Sequence, residues 1–422
     1  MEANTALINN EAITFGLLMA ILGLVFYFSS RDKYAGFFRV IPALLLCYFL
    51  PSLLTSFGLV SADNNLYFVA SRYLLPASLI LLTLSIDLKA VIGLGPKALI
   101  MFFTATAGII LGGPIALLIT SAVAPDLLGG VGPEALWRGL STVAGSWIGG
   151  GANQAAMYEI FQPTDGLYSV MITVDVIVAE IWMAFILIGA AKSDKIDQWL
   201  RADNSSVKTL QNKMEDFIAR TAKIPTLSDV MMILGIAFSG VALAHVAGDY
   251  VAPWFAEHYP YTANFSLTSA FFWIVIVATS IGLLLSFTRV RQLEGAGASR
   301  LGSVFIYILE GTIGMKMDIR EVFNEPGYFA VGLLWMIFHV ATLILVARLI
   351  KAPFFFVAVG SKANIGGAAS APVVAAAFHP SLAPVGVLLA VVGYAVGTYG
   401  GWLTAFLMHL ASGDPGPLML GS

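Results

Sequence analysis

Charged residues are scarce in this sequence, and their scarcity argues against a water-soluble fold. Lys, Arg, Asp and Glu make up only 11% of the 422 residues, whereas 58% are hydrophobic. An ordinary soluble domain carries roughly 25% charged residues. A soluble core cannot bury that much apolar surface, but a lipid bilayer can accept it. The composition therefore predicts an integral membrane protein without a soluble domain of useful size.

Cysteine and enzyme motifs are also scarce or missing. The single cysteine, Cys47, excludes an intramolecular disulfide. The sequence contains no HExxH pair, no Walker glycine–lysine loop and no Gly-x-Ser-x-Gly elbow. We therefore expect no catalytic residues and no enzyme activity. The net charge of −3 gives no reason to expect a nucleic-acid partner.

Long apolar runs, by contrast, recur along the whole chain. Crossing a bilayer takes about 20 apolar residues. Ten runs predict transmembrane helices: 12–30, 40–60, 66–86, 98–123, 166–191, 227–247, 267–288, 301–317, 328–350 and 383–411. The first run lacks the basic flank of a cleavable signal peptide, so we expect it to remain as a membrane helix. Two further runs, 137–160 and 353–378, are broken by glycines and polar residues.

The basic residues indicate an orientation, because Lys and Arg are retained in cytoplasmic loops. Suppose that the N-terminus is outside and that both broken segments enter the membrane and return. Then 18 of the 22 Lys and Arg residues are cytoplasmic, including those of the loop 192–225. If both broken segments cross instead, the division is about 14 against 7. The first arrangement is favoured, in what we expect to be a bacterial plasma (inner) membrane.

That arrangement predicts an inverted repeat. Five crossing helices and one broken segment precede the linker, and the same pattern follows it. An odd number of crossings turns the second half upside down. We therefore predict a first repeat at 1–191, a cytoplasmic linker loop at 192–225 and a second repeat at 226–422. Short similarities support the pairing: the segments 84–89 and 315–320 match, as do 161–163 and 378–380. Inverted repeats with paired interruptions are typical of secondary transporters.

The two interruptions are the predicted substrate site. Glycines break the runs at 145–154 and 360–372, and unwound backbone in hydrocarbon is tolerated only where protein or a water-filled cavity satisfies it. Helix N-termini exposed there favour an anion. The alternative is that the small residues are helix-packing faces. The predicted substrate-binding residues are Gly150, Gly151, Asn153, Lys362, Asn364, Gly366, Gly367 and Glu310.

Ionisable residues inside membrane segments are expensive and suggest function. Asp175, near the middle of 166–191, is the best candidate for a coupling-ion ligand, and Thr173 could add its hydroxyl. For Glu310, the sequence supports a role in the site and a structural role equally. Lys362 could meet a substrate carboxylate, occupy the empty ion site or extend to the cytoplasmic surface.

The segments Gly149–Gln154, Asn364–Gly367 and Ile313–Asp318 resemble the domain-of-unknown-function 819 family of membrane proteins. The resemblance extends over nearly the whole chain. That family is grouped with the cation/proton antiporter and anion transporter superfamily, which includes bile-acid sodium symporters. The resemblance implies an elevator with two domains: a core holding two crossing broken elements, and a scaffold that often forms a homodimer.

The resemblance also implies an ion site. In sodium symporters of this kind, ions bind at the broken elements and the following helix. By position this implies cation binding by Asn153, Gln154, Thr173, Asp175, Asn364 and Ser370, with Na⁺ itself at Asn153, Gln154 and Asp175. In proton antiporters of the superfamily the helix after the first break carries a titrating aspartate, and Asp175 matches it. The adjacent aspartate pair of many antiporters is missing, because Val174 and Val176 flank Asp175.

Taken together, these patterns predict an all-α membrane protein with about 10 transmembrane helices and two broken or re-entrant segments. We expect a secondary active transporter that moves a small solute, an organic anion or an amino-acid-like compound. Na⁺ or H⁺ would drive it, with no other cofactor. A monovalent cation/proton antiporter is the alternative. The paired breaks argue against a channel, and the missing motifs argue against a membrane enzyme.

Overall fold

The computed structural model describes residues 6–40, 43–61, 65–210, 225–265, 267–316, 326–416 and 418. Within these ranges the chain is nearly all helical, and the β-pairing consists of one isolated bridge between Ile8 and Val60. This confirms the predicted all-α class. Residues 211–224 of the predicted linker, and Met317 and Asp318 of the third motif, lie outside the described residues.

Fourteen helices carry the architecture of the described chain, and we number them in order. They are α1 Glu11–Ser29, α2 Ala43–Ser56, α3 Leu66–Leu84, α4 Pro96–Val123, α5 Leu136–Gly149, α6 Gly151–Phe161, α7 Asp165–Ala190, α8 Leu227–His258, α9 Ala270–Ser286, α10 Ala298–Gly314, α11 Gly327–Leu349, α12 Phe354–Asn364, α13 Gly367–Phe378 and α14 Ala383–Ser412. Helix α3 includes a π-helical turn at Ala70–Leu74. Short helices at Ala35–Val40, Leu88–Gly93 and Ser193–Leu200, together with 3₁₀ turns, connect them.

Seven of the described helices are long and apolar enough to cross a bilayer, or eight if the bent pair Ala270–Ser286 and Arg289–Ala296 is one span. The seven are α1, α3, α4, α7, α8, α11 and α14. This confirms a multi-pass integral membrane protein. All ten predicted runs overlap helices, but α2 has only 14 residues, and α9 and α10, with 17 each, are at the lower limit for a crossing. A complete crossing usually takes 17–25 residues.

Polar caps encoded in the sequence determine where several long helices begin. The side chains of Asn10, Thr164 and Ser269 accept hydrogen bonds from first-turn N–H groups of α1, α7 and α9. Thr226 and Asp229 form a reciprocal capping box at α8. Such caps satisfy backbone donors that otherwise have no partner within the helix.

Each broken segment folds back on itself as a helical hairpin. In hairpin 1, formed by α5 and α6, Arg138 Nη1 donates to the Phe161 carbonyl at 2.8 Å. An unbroken helix would separate these residues by about 35 Å. In hairpin 2, formed by α12 and α13, the rings of Phe355 and Phe378 lie 5.4 Å apart. Both broken segments therefore reverse direction at their glycine breaks.

The two hairpins approach each other from opposite ends of α7. This helix starts beside the base of hairpin 1 and spans 26 residues, about 39 Å. Near its other end, a Cβ on Gly189 would lie 2.5 Å from the ring of Phe354 at the base of hairpin 2. The hairpin tips meet along α14, where a Cβ on Gly393 would lie 3.0 Å from the Ile148 carbonyl and 3.1 Å from the Ala363 carbonyl.

The helices form two groups. The scaffold group contains α1, α2, α3, α8, α9 and α10, and the core group contains α4, α7, α11, α14 and both hairpins. The groups meet where α14 and α6 contact α3 and α9, and where α6 contacts α10. Scaffold side chains such as Leu24 and Leu243 are more than half exposed, as suits a surface that faces lipid.

The described start of the linker lies at the base of hairpin 2. Lys97 Nζ is 3.2 Å from an Asp203 carboxylate oxygen, and the Asp203 amide donates to the Lys351 carbonyl at 3.1 Å. Hydrogen bonds from Ser205, together with Lys97, lower the pKa of Asp203 to about 2. Asp203 therefore carries its charge throughout the physiological pH range.

Candidate functional site

A cavity of about 230 Å³ lies between the scaffold and core groups, at the hairpin tips. The core contributes Gly150, Gly151, Ala152, Gly366, Gly367 and Tyr394, and the scaffold contributes Leu82, Ser303, Ile306, Tyr307 and Glu310. The cavity therefore brings together five of the eight predicted substrate residues: Gly150, Gly151, Gly366, Gly367 and Glu310. Their role in binding stays a prediction.

Glycine is required at the tips for two reasons. Gly150 and Gly366 have φ of +76° and +95°, a region that side chains disfavour. They precede α6 and α13, whose first turns have no side-chain cap. In addition, Cβ atoms on Gly150 and Gly367 would each lie 3.6 Å from the Tyr394 ring. A Cβ at that distance would be in ordinary van der Waals contact with Tyr394 and would take up part of the cavity.

Glu310 places a carboxyl group at this cavity. The residue is 1% exposed and belongs to scaffold helix α10. A Cβ on Gly151 would overlap its Oε1 atom, so the carboxyl group lies against the first turn of α6. A helix N-terminus attracts negative charge because its first N–H groups are oriented outwards.

The two predicted asparagines lie behind the tips and make matching contacts. Asn153 Nδ2 donates to the carbonyls of Gly149 and Tyr394, both at 3.0 Å, and Thr398 Oγ1 donates to Asn153 Oδ1 at 2.6 Å. The Tyr394 and Thr398 groups both belong to α14. Asn153 therefore joins hairpin 1 to the neighbouring helix α14.

Asn364 repeats this pattern in hairpin 2. Its Nδ2 donates to the Gly360 and Phe102 carbonyls at 2.9 and 3.2 Å, and its Oδ1 accepts from Thr106 Oγ1 at 2.8 Å. Both asparagines are fully buried. Their amide groups fasten the tips to α14 and α4, and sequence reasoning did not identify Thr106 or Thr398.

Asp175 forms a second polar region, the Asp175 cluster, inside the core group. Trp147 Nε1 donates to Asp175 Oδ1 at 2.6 Å, and Gln154 Nε2 donates to Oδ2 at 3.0 Å. Lys362 from hairpin 2 is 1% exposed, with Nζ 3.5 Å from the Ala179 carbonyl. The charges of Glu180 and Asp175 act on Lys362. The cluster therefore links both hairpins through α7.

The other predicted cation ligands lie elsewhere. Thr173 Oγ1 donates to the Ser169 carbonyl of its own helix at 3.2 Å. Two residues correspond to about 200° around a helix, so Thr173 faces away from Asp175. Ser370 Oγ is 3.5 Å from the Ile365 carbonyl at the tip of hairpin 2. Of the six predicted cation ligands, the structure places Gln154 and Asp175 in direct contact.

A buried hydrogen-bond chain borders Lys362. Ser361 Oγ accepts from Trp182 Nε1 at 2.8 Å and lies 2.8 Å from His339 Nε2. His339 Nδ1 is 3.1 Å from the Ala105 carbonyl. That carbonyl can only accept, so Nδ1 carries the proton and Nε2 accepts from Ser361. The chain joins α7, α11 and hairpin 2.

An ion pair joins the two helix groups near the base of hairpin 1. Arg72 Nη2 lies 3.1 Å from Glu159 Oε2, and the Tyr67 hydroxyl donates to Glu159 Oε1. Lys316 Nζ lies 3.6 Å from the centroid of the Tyr67 ring. We call these four residues the Glu159 cluster. Nothing local in the sequence pairs Glu159 with Arg72, which lies on another helix.

Comparisons with known proteins agree with the predicted resemblance. The family model described as "Protein of unknown function (DUF819)" matches residues 16–410, from α1 into α14, and thus includes both hairpins and the cavity. The uncharacterized membrane protein YjcL of Bacillus subtilis (strain 168) is 24% identical over 371 residues. That match covers 84% of this chain and 87% of YjcL.

Proposed function

The chain belongs to the DUF819 family, and from that premise we propose that it is a secondary active transporter of a small solute. One observation carries the proposal. Two hairpins from opposite ends of α7 meet tip to tip at a cavity between two helix groups. Discontinuous helices that meet inside the membrane form the substrate and ion sites of many secondary transporters.

The topology we propose has ten crossing helices and two re-entrant hairpins, arranged as inverted repeats at 1–191 and 226–422. The helix contacts support this arrangement. In the scaffold, the contacts α1–α2, α1–α10 and α2–α10 have the counterparts α8–α9, α8–α3 and α9–α3. This correspondence is expected if the two halves place equivalent helices in equivalent positions.

We propose that the base of hairpin 2 faces the cytoplasm of a bacterium, with the N-terminus outside. Lys97, Lys351 and the described start of the linker lie together at that end. Basic residues concentrate on the cytoplasmic side of membrane proteins.

The transport step we propose is an elevator movement of the core group along the scaffold. The cavity lies at the boundary between the groups, so such a movement would carry the solute together with both tips. Glu310 would stay with the scaffold, and the Glu159 cluster would have to open. A homodimer formed through the scaffold, as the resemblance implies, would hold the stationary part in place.

The driving cation, Na⁺ or H⁺, would act at Asp175. Either ion would reduce the negative charge of the Asp175 cluster, in which the Lys362 Nζ atom contacts α7 at the Ala179 carbonyl. Gln154 and Trp147 connect this carboxylate to the two arms of hairpin 1. A change at Asp175 would therefore reach the tip that lines the cavity, and ion and solute would raise each other's affinity.

A monovalent cation/proton antiporter is the second candidate, and the position of Lys362 favours it. A buried ammonium close to Asp175 competes with any cation that approaches the carboxylate. Exchange of one cation for another then needs no solute. Cation flux in proteoliposomes without any organic solute would support this candidate.

The first experiment measures the melting temperature of the purified protein in detergent, with NaCl titrated against choline chloride at constant ionic strength and several pH values. An ion that binds only the folded state raises the melting temperature with its concentration. We expect a sodium-specific or pH-dependent shift that Asp175→Asn removes. Asp249→Asn, an exposed site on α8, is the matched control and should keep the shift. A shift of the same size in Asp175→Asn would refute the coupling site.

A further inference from the structure

The charge of the cavity lining restricts the solute. Among the described lining residues, Glu310 is the one acidic side chain, and lysine, arginine and histidine are missing. The remaining polar side chains are the hydroxyls of Ser303, Tyr307 and Tyr394. A solute in this cavity therefore meets a carboxyl group and hydroxyls, but no cationic side chain of the lining.

Lys362 is close to the cavity but is not one of its described lining residues. It lies behind the tip of hairpin 2, where a Cβ on Gly366 would be 3.5 Å from its Nζ. Its side chain is buried and does not line the cavity. Its Nζ atom lies 3.5 Å from the Ala179 carbonyl of α7, the helix that also carries Asp175 and Glu180.

The lining favours a solute with a cationic group. An ammonium group can form a charge-assisted hydrogen bond with the Glu310 carboxylate. Aromatic rings attract cations, and Tyr307 and Tyr394 line the same cavity. A solute with only negative charge would be repelled by Glu310, and the repulsion is strong where water is excluded.

The helix N-terminus of hairpin 2 that lies at the cavity suits a carboxylate. Helix α13 has 12 residues and begins at Gly367, which lines the cavity. Its N-cap residue is Gly366, which has no side chain to cap the first turn, and the N–H groups of a helix N-terminus favour negative charge. The volume of about 230 Å³ corresponds to roughly seven or eight water molecules at ~30 Å³ each. A small zwitterion fits this size and this division of charge.

We propose that the solute is a small zwitterion of the amino-acid class, with its ammonium group bound by Glu310 and its carboxylate directed to the first turn of α13. The proposal rests on the transporter function above and narrows its substrate class. It removes simple organic anions from the expected substrates.

The test uses the full chain in detergent, with the twenty amino acids and their 2-hydroxy-acid analogues as probes. We expect at least one amino acid to raise the melting temperature, and its 2-hydroxy analogue, which lacks the ammonium group, to have no effect. Glu310→Gln should weaken binding of that amino acid by about 30-fold or more. Glu310→Asp keeps the charge and should retain part of the affinity. Glu257→Gln, an exposed site on α8, should bind like the unchanged protein.

Three results would overturn the inference: no amino acid binds, the 2-hydroxy analogue binds equally well, or Glu310→Gln binds within about threefold of the unchanged protein. If Glu310→Gln fails to fold, the comparison of the amino acid with its 2-hydroxy analogue still tests the proposed ammonium site. Uptake by proteoliposomes separates this inference from the transporter proposal. Cation-driven uptake of 2-hydroxy acids or dicarboxylates would refute the zwitterion and keep the transporter. If neither class is taken up and no cation raises the melting temperature, both proposals lose their support.

Discussion

The contact between Thr398 and Asn153 gives the most quantitative prediction, because one buried hydroxyl determines whether a buried amide is satisfied. Thr398→Val removes the hydroxyl with almost no change of shape. It leaves Asn153 Oδ1, now accepting at 2.6 Å, without this donor, and it also removes the 3.1 Å contact with the Thr279 hydroxyl. Losing the partner of a buried polar atom costs about 1–3 kcal/mol. We expect Thr398→Val to lower the free energy of unfolding by about 2 kcal/mol.

Asn153→Ala removes three hydrogen bonds, those with Gly149, Tyr394 and Thr398. At about 1 kcal/mol each, the loss is about 3 kcal/mol. If the two side chains acted independently, the double variant would lose about 5 kcal/mol. Because they share one bond, and the double variant loses only the Thr279–Thr398 contact in addition, we expect about 4 kcal/mol, a coupling energy of about 1 kcal/mol.

The assay is equilibrium unfolding in mixed detergent micelles, completed as a double-mutant cycle. Thr342→Val is the matched control, because Thr342 Oγ1 donates only to the Phe338 carbonyl of its own helix at 2.9 Å. We expect the control to change stability by less than about 0.5 kcal/mol. A coupling energy below about 0.5 kcal/mol between Thr398 and Asn153 would refute the reasoning.

Two further predictions concern contacts around the core. Arg72→Met leaves the nearly buried Glu159 carboxylate without its arginine and should cost about 3–5 kcal/mol of stability, and adding Glu159→Gln should restore part of it in a melting assay. If the double variant is no more stable than Arg72→Met, the result would argue against the Arg72–Glu159 ion pair. Gly393→Ala inserts a methyl group about 3 Å from carbonyls of both hairpin tips and should abolish uptake in proteoliposomes, whereas Gly235→Ala, which meets nothing within 4 Å, should leave it unchanged. Normal uptake by Gly393→Ala would show that the tips need not be so close.

Some candidate residues were predictable because local chemistry forces their position. Glycines that interrupt a long apolar run cannot continue a helix cheaply, so Gly150 and Gly366 were expected at breaks in the chain, and both have positive φ. Glu310 was selected because an ionisable residue inside a membrane segment suggests function, although this reasoning could not decide between a site role and a structural one. The structure puts it at the cavity.

Other assignments depended on neighbours that are distant in sequence. Cation binding by Asn153 and Asn364 stays a prediction, and the contacts of their amide groups with carbonyls of α14 and α4 were not predicted. Thr173 lies on the same helix as Asp175, but the helix geometry places its side chain on another face. Such choices depend on which helix packs against which face, and a single sequence does not contain that information.

The sequence by itself determined the membrane environment, the helical class and the two glycine breaks, because hydrophobic length and backbone conformation are local properties. Only the tertiary structure decided which polar groups meet. Arg72 and Glu159 pair across two helices, and so do Thr398 and Asn153. These pairs form because a buried polar group must find a partner wherever helix packing offers one. Partner choice is therefore a property of the packed helices and not of any one segment.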